Sequence, residues 1–233
     1  MQFFKFTLST DPKVIGRRFP QISDIENRFE YDRDAPNSIY KSNRWGEVTS
    51  NLNIPNYILH GHAKRTDILS HTSQFLLISK NLNELIEEFK LPNKQVFETS
   101  VLARGEKYSY SLFYLPDNCY QYIDFSRSTF ALVPFGRPVP ELFPEINSLE
   151  EFEDWIKKYP YLIKSNPHRL KIIVDKLVFN VDKIPFDMFR IIGPLPPTSY
   201  FVSERLKNAI EEKGFTGMEF TPLDKIKTIL PPA

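Results

Sequence analysis

The sequence predicts an α+β protein with a mainly antiparallel sheet and a few short helices, and three observations carry that expectation. Runs of apolar alternation at residues 96–102 and 108–115 flank Arg104-Gly105, the pattern of a hairpin, with Tyr108, Tyr110, Leu112 and Tyr114 sharing one side of the second run. Ser79, Ser148 and Ser203 each stand before a stretch whose apolar residues recur at helical spacing, so each serine is placed to cap a helix. The chain holds 20 Phe, 11 Tyr and 19 Pro against only 8 Gly, which favours strands, bulky core side chains and stiff connections.

In chain order, residues 3–8 read as a strand closed by Asp11-Pro12. From there to about Asn53 the pattern is irregular, rich in Arg, Asn, Asp and Ser, with Trp45 as its one large anchor. A connection of that length is either functional or draped over the core. Residues 57–59 suit a short strand and 66–71 a turn or short helix. Residues 75–78 then form a clearer strand, after which Ser79 caps a helix with Leu82, Leu85, Ile86 and Phe89 inward and Pro92 at its end. Beyond the hairpin, strands are expected at 119–125 and 130–135. Ser148 with Glu151 makes a capping box, and Phe152, Trp155, Ile156 and Tyr159 form the buried stripe of the helix it opens. Residues 170–174 and 177–181 read as strands turning at Asp175-Lys176. At the C-terminal end, Tyr200, Phe201 and Val202 suit a strand, and Ser203 caps a helix with Leu206, Ala209 and Ile210 on one stripe. Gly214 is placed to end that helix in a left-handed conformation, and Thr216-Gly217 turns the chain into a strand with Met218 and Phe220 on one face.

The proline-rich stretch at 136–147 is the best linker, dividing an N-terminal half (1–135) from a C-terminal half (148–233), although both can pack as one domain. A faint echo links them. Ser79, Leu82, Ile86, Glu87 and Glu88 recur 124 residues later as Ser203, Leu206, Ile210, Glu211 and Glu212. Duplication gives such matches, and so do any two serine-capped amphipathic helices.

Thirty basic and twenty-nine acidic residues give a formal charge of +1, so no global field draws the protein to nucleic acid or an anionic membrane. The beginning, Met1-Gln2-Phe3-Phe4-Lys5, lacks a basic leader and apolar run, and a cytoplasmic location is expected. A single cysteine, Cys119, excludes an internal disulfide and reads as a buried structural thiol. Phosphate-cradling glycine motifs and the G-x-S-x-G elbow are absent, and no cofactor is expected.

Two constellations remain. His60 and His62, with Asp67 and His71 following, place an H-x-H pair that on a strand would point to one side, as a metal site requires; the plainer reading is histidines beside a turn. Glu141, Glu145, Glu150, Glu151, Glu153 and Asp154 occur with no Lys or Arg from Glu141 to Asp154. That segment is either a solvated helix N-terminus or an acidic patch that meets a basic partner.

The C-terminal run Val202-Ser203, then Gly214-Phe215-Thr216-Gly217-Met218-Glu219-Phe220, resembles the signature of a bacterial family of immunity proteins from polymorphic-toxin systems. Residues 123–130, Ile-Asp-Phe-Ser-Arg-Ser-Thr-Phe, and Phe189-Arg190 are similar to further family segments, so the resemblance runs from about Tyr120 to Phe220 and the residues before it carry none. The resemblance implies a non-enzymatic, cytoplasmic α+β protein that binds and neutralises the toxin encoded beside it, with Ser203, Leu206, Gly214, Gly217 and Phe220 as scaffold. A preformed interface of about 800 Å² per partner is expected. Its expected contacts are Arg44 and Trp45 together with the acidic residues from Glu141 to Asp154. The partner is then a protein toxin, with neither nucleic acid nor membrane involved and with monomer and homodimer both open. The alternatives are a metal-dependent hydrolase using His60 and His62, and a scaffold or adaptor protein unconnected with toxins.

Overall fold

A computed structural model describes residues 2–40, 46–48, 51–71, 75–135, 142–159, 169–192 and 199–223. The chain runs through β1 (Phe3–Leu8), α1 (Pro12–Ile15), β2 (Ile22–Ile25), β3 (Tyr57–Leu59), β4 (Ile68–Leu69), β5 (Leu76–Ser79), α2 (Lys80–Glu87), β6 (Gln95–Ala103) and β7 (Glu106–Tyr114). It continues with β8 (Thr129–Pro134), α3 (Leu149–Lys158), β9 (Leu170–Lys176), β10 (Met188–Ile191), β11 (Ser199–Ser203), α4 (Glu204–Glu212) and β12 (Met218–Pro222). The fold is α+β, with a six-stranded sheet in the order β2-β3-β6-β7-β5-β4, a four-stranded sheet β10-β11-β1-β12, and a β8-β9 pair. Among the described strands only β3 with β6 pairs in parallel. No helix of the described residues is long and apolar enough to cross a membrane.

Local chemistry accounts for the clearest elements. Arg104 and Gly105 both take positive φ, 54° and 86°, and this two-residue turn matches the twist of β6 and β7. Ser79 Oγ accepts the Leu82 N–H at 3.3 Å and Ser203 Oγ the Leu206 N–H at 3.2 Å, so both serines cap their helices. At the end of α4 the Gly214 N–H donates to Glu211 O at 3.0 Å and the Phe215 N–H to Ile210 O at 3.2 Å, a two-bond closure made possible by Gly214 at φ 71°. Phe215 then folds back onto the apolar cluster of α4.

The abundant phenylalanines fill the core. Phe189 and Phe201 stack at 5.3 Å, and Phe3 and Phe179 each meet Phe189 edge-on at 5.4 Å. Such geometries add to the burial of the rings themselves. A second cluster lies under α2 and α4, and a third lines the β6–β7 hairpin through Tyr110, Leu112 and Tyr114.

Several sequence expectations are corrected. Residues 66–71 hold the strand β4 rather than a turn or helix, and Ile68 and Leu69 are both fully buried, so no alternation marks them. Residues 119–125 form a 3-10 turn at Tyr120–Tyr122 rather than a strand. The hairpin at Asp175-Lys176 is absent: β9 continues through these residues against β8, with the register shifting at Asp175, and beyond it Phe179 bridges to Ile123. The irregular N-terminal connection includes α1, started by the Asp11 cap and Pro12, and the strand β2. β1 enters the sheet of C-terminal strands, between β11 and β12, although in sequence it belongs with residues 1–135.

Candidate functional site

The best-formed surface feature surrounds α3. Ser148 Oγ accepts the Glu151 N–H at 3.1 Å and Glu151 Oε2 accepts the Asn147 N–H at 2.7 Å, so Glu151 is a capping residue first. Phe152 anchors the helix against Tyr120, Phe125 and Phe130 at 5.0, 5.4 and 5.1 Å, with Trp155, Ile156 and Tyr159 half-buried beside it. That fixes Glu150, Glu151, Glu153 and Asp154 outward, all exposed. Asp154 pairs with Lys157 at 3.1 Å. Among the described residues Glu145, Glu150 and Glu153 form no ion pair.

The approach to this helix adds an apolar component that the sequence reading missed. Leu142 and Phe143 are 50% and 59% exposed. The Leu132 N–H donates to Leu142 O at 2.7 Å, which pins the segment to β8. From there Pro144 and Ile146 point inward while Phe143 and Glu145 point outward. The result is an aromatic side chain and carboxylates held on a supported backbone. The only sequence signal was an apolar pair inside a proline-rich acidic segment.

Arg44, Trp45 and Glu141 lie outside the described residues. Beyond Trp45 the chain is well tied. Tyr114 Oη donates to Gly46 O at 3.0 Å, and Val48 exchanges two bonds with the Gln95 side chain at 2.9 and 2.8 Å. A second exposed aromatic, Phe29, projects fully from a shallow hollow lined by Arg28, Glu30, Tyr31, Asp32 and Arg33.

The rings of His60 and His62 lie side by side, centroids 5.5 Å apart, but neither His71 nor Asp67 joins them. His60 follows the end of β3 in a turn, where its Nδ1 accepts the His62 N–H at 3.1 Å and its carbonyl accepts the Ala63 N–H at 2.8 Å. His71 Nε2 donates to Phe75 O at 2.8 Å, its ring stands edge-on to Tyr57 at 5.5 Å, and burial pushes its pKa down to about 4. The Asp67 carboxylate is taken by Ser79 Oγ at 3.0 Å and by the Thr216 N–H at 2.9 Å. Among the described residues no three His, Cys, Asp or Glu side chains gather to hold a metal. Cys119 is buried, and that burial pushes its thiol up to about 11.

The signature residues are structural. Ser203, Leu206 and Gly214 cap, anchor and end α4, and Phe220 on β12 meets Phe6 edge-on at 5.8 Å. Gly217 has φ 97°, and a β-carbon there would lie 2.3 Å from Ile68 O, so this glycine permits close contact with β4. Arg190, of the Phe189-Arg190 pair, is fully buried on β10. Its guanidinium donates to Pro116 O at 3.2 Å and lies over the Tyr114 ring at 4.2 Å.

No protein-family description matches the sequence, and none of the curated proteins compared with it matches either.

Proposed function

We propose that the chain is an immunity protein, which binds a cognate bacterial protein toxin and neutralises it by occluding it, with no catalysis of its own. The observation that carries this is the face formed by outward Leu142, Phe143 and Glu145 beside the exposed carboxylates of α3. An aromatic anchor within a carboxylate rim suits a basic partner surface with an apolar pocket, where the charges speed encounter and the ring supplies affinity. The resemblance of the run from Val202 to Phe220 to immunity proteins supplies the class of partner.

Binding of the toxin by the double variant Glu150→Lys, Glu153→Lys and by Phe143→Ala tests the proposal. Glu151 is left intact because it caps α3. The charge reversal should slow association about 10-fold or more at low salt, with the difference shrinking as salt rises. Phe143→Ala should cost about 2 kcal/mol of affinity. Affinity unchanged in both variants would remove this face as the binding surface.

A further inference from the structure

The 124-residue echo extends well beyond the two serine caps. In the four-stranded sheet the order is β10-β11-β1-β12, and within the larger sheet it is β4-β5-β7-β6, so β4 answers to β10, β5 to β11, β7 to β1 and β6 to β12. The registers agree as well. Ile68 faces Ile78 as Met188 faces Val202, and Ser79 faces Tyr110 as Ser203 faces Phe3. Phe113 lies between Leu76 and Val96 as Phe6 lies between Tyr200 and Phe220, and both flanking pairs keep the offset (200 minus 76 and 220 minus 96, each 124).

Two aspartates repeat a whole set of hydrogen bonds. The Asp67 carbonyl accepts the Ser79 N–H at 2.6 Å and its Oδ1 accepts Ser79 Oγ at 3.0 Å, while its N–H donates to Thr216 O at 3.0 Å and its Oδ2 accepts the Thr216 N–H at 2.9 Å. The Asp187 carbonyl accepts the Ser203 N–H at 2.7 Å and its Oδ1 accepts Ser203 Oγ at 2.7 Å, while its N–H donates to Lys90 O at 2.7 Å and its Oδ2 accepts the Lys90 N–H at 3.0 Å. Thr216 follows α4 and Lys90 follows α2, so each aspartate binds its own serine cap and the turn after the other helix. Reciprocal contacts of this kind are the mark of a two-fold interface. An amphipathic pattern alone selects neither strand register nor this bond set, so shared helix chemistry does not explain them.

Read in chain order, β1, β4, β5, α2 and β6 are followed by β7, β10, β11, α4 and β12 as the same series. The first strand of each series sits in the other's sheet: β1 between β11 and β12, β7 between β5 and β6. We infer that the chain is two copies of one repeat, joined at Arg104-Gly105, that exchange their first strands to build an internal two-fold dimer. The segments 9–66 and 116–186 then interrupt equivalent positions, between the first strand and the clamping aspartate. Among the described residues these insertions hold every exposed large apolar side chain, Phe19 and Phe29 in one, Leu142 and Phe143 in the other. That the insertions meet the toxin and the frame does not rests on the immunity reading; the repeat itself does not depend on it.

The full chain with a protease site at Arg104-Gly105 tests the exchange without any toxin. Cleaved after folding, it should keep the parent's size and circular dichroism. Halves separated in denaturant should each fail to fold as a cooperative monomer, because the first strand that each sheet holds in the intact chain belongs to the other half, and mixing them at 1:1 should restore the parent's spectrum and size. A half that folds alone to a cooperative monomer overturns the inference, as do mixed halves that stay unfolded. Should the added site itself disrupt folding, a circular permutant beginning at Gly105 and ending at Arg104, with a flexible linker joining the original ends, decides the matter. One cooperative transition with the parent's spectrum supports the exchange, and an unfolded permutant overturns it.

Discussion

Replacing Asp187 with alanine should destabilise the protein by about 3 kcal/mol, and the figure follows from what its carboxylate holds. Asp187 is 3% exposed, and its two oxygens accept from Ser203 Oγ, the Lys90 N–H and the Arg205 guanidinium. The bonds to Ser203 and Lys90 are buried and charge-assisted, so losing them costs about 1 to 2 kcal/mol each, with the Lys90 N–H left without an acceptor. The Arg205 side chain is 63% exposed, and its share should be under about 1 kcal/mol. Arg205→Ala is therefore the control, with a small effect. For a chain of this size about 3 kcal/mol lowers Tm by roughly 6–12 °C. Chemical denaturation followed by circular dichroism measures the loss directly. A midpoint for Asp187→Ala equivalent to less than about 0.5 kcal/mol from the parent would refute this reasoning. The same carboxylate titrates below its ordinary value: burial alone would raise it, but bonds from Arg205, Ser203 and the Lys90 N–H outweigh burial. Its contribution is therefore present above the ordinary carboxylate pKa of about 4 and is lost as pH falls through the lower folded value.

Gly217→Ala should cost more than about 2 kcal/mol, since its β-carbon would lie 2.3 Å from Ile68 O, whereas Gly214→Ala, with nothing within 4 Å, should cost about 1 kcal/mol for its positive φ alone. Thermal melts of the pair check this, and equal losses would count against the close approach of β4. His71 makes stability depend on pH in a different window from Asp187. Its pKa falls from 6.5 unfolded to about 4 folded, so its contribution is complete above 6.5 and declines as pH drops toward 4. The decline is about 3 kcal/mol at most, visible as a denaturation midpoint falling between pH 7 and pH 4.5 and flattened in His71→Gln. A parent midpoint constant over that range would contradict a buried neutral ring.

The elements that could be read from sequence were those whose ends carry their own chemistry. Ser79, Ser148 and Ser203 announced their helices because the capping bond is local, and the hairpin was announced by Gly105, which takes φ 86° without strain, between two alternating apolar runs. β4 escaped because both of its residues are buried and neither face is polar. Residues 177–181 are apolar enough for a strand but pack as loop side chains in the core, where Phe179 meets Phe189 and Phe201 edge-on. At the site, the carboxylates of α3 stood out as a run, yet their exposure and the outward turn of Phe143 depend on the packing of Phe152 against Phe130 and on the Leu132–Leu142 bridge, neither of which a local pattern shows. The clamps of Asp67 and Asp187 were invisible because each joins residues more than ninety positions apart as well as its own serine.

Co-expression is the most direct measurement of the proposed function. A toxin domain encoded beside this chain, lethal when produced alone, should become harmless when the full chain is produced with it, and the two proteins should co-purify. Cells that still die while the chain accumulates in folded form would contradict the immunity reading.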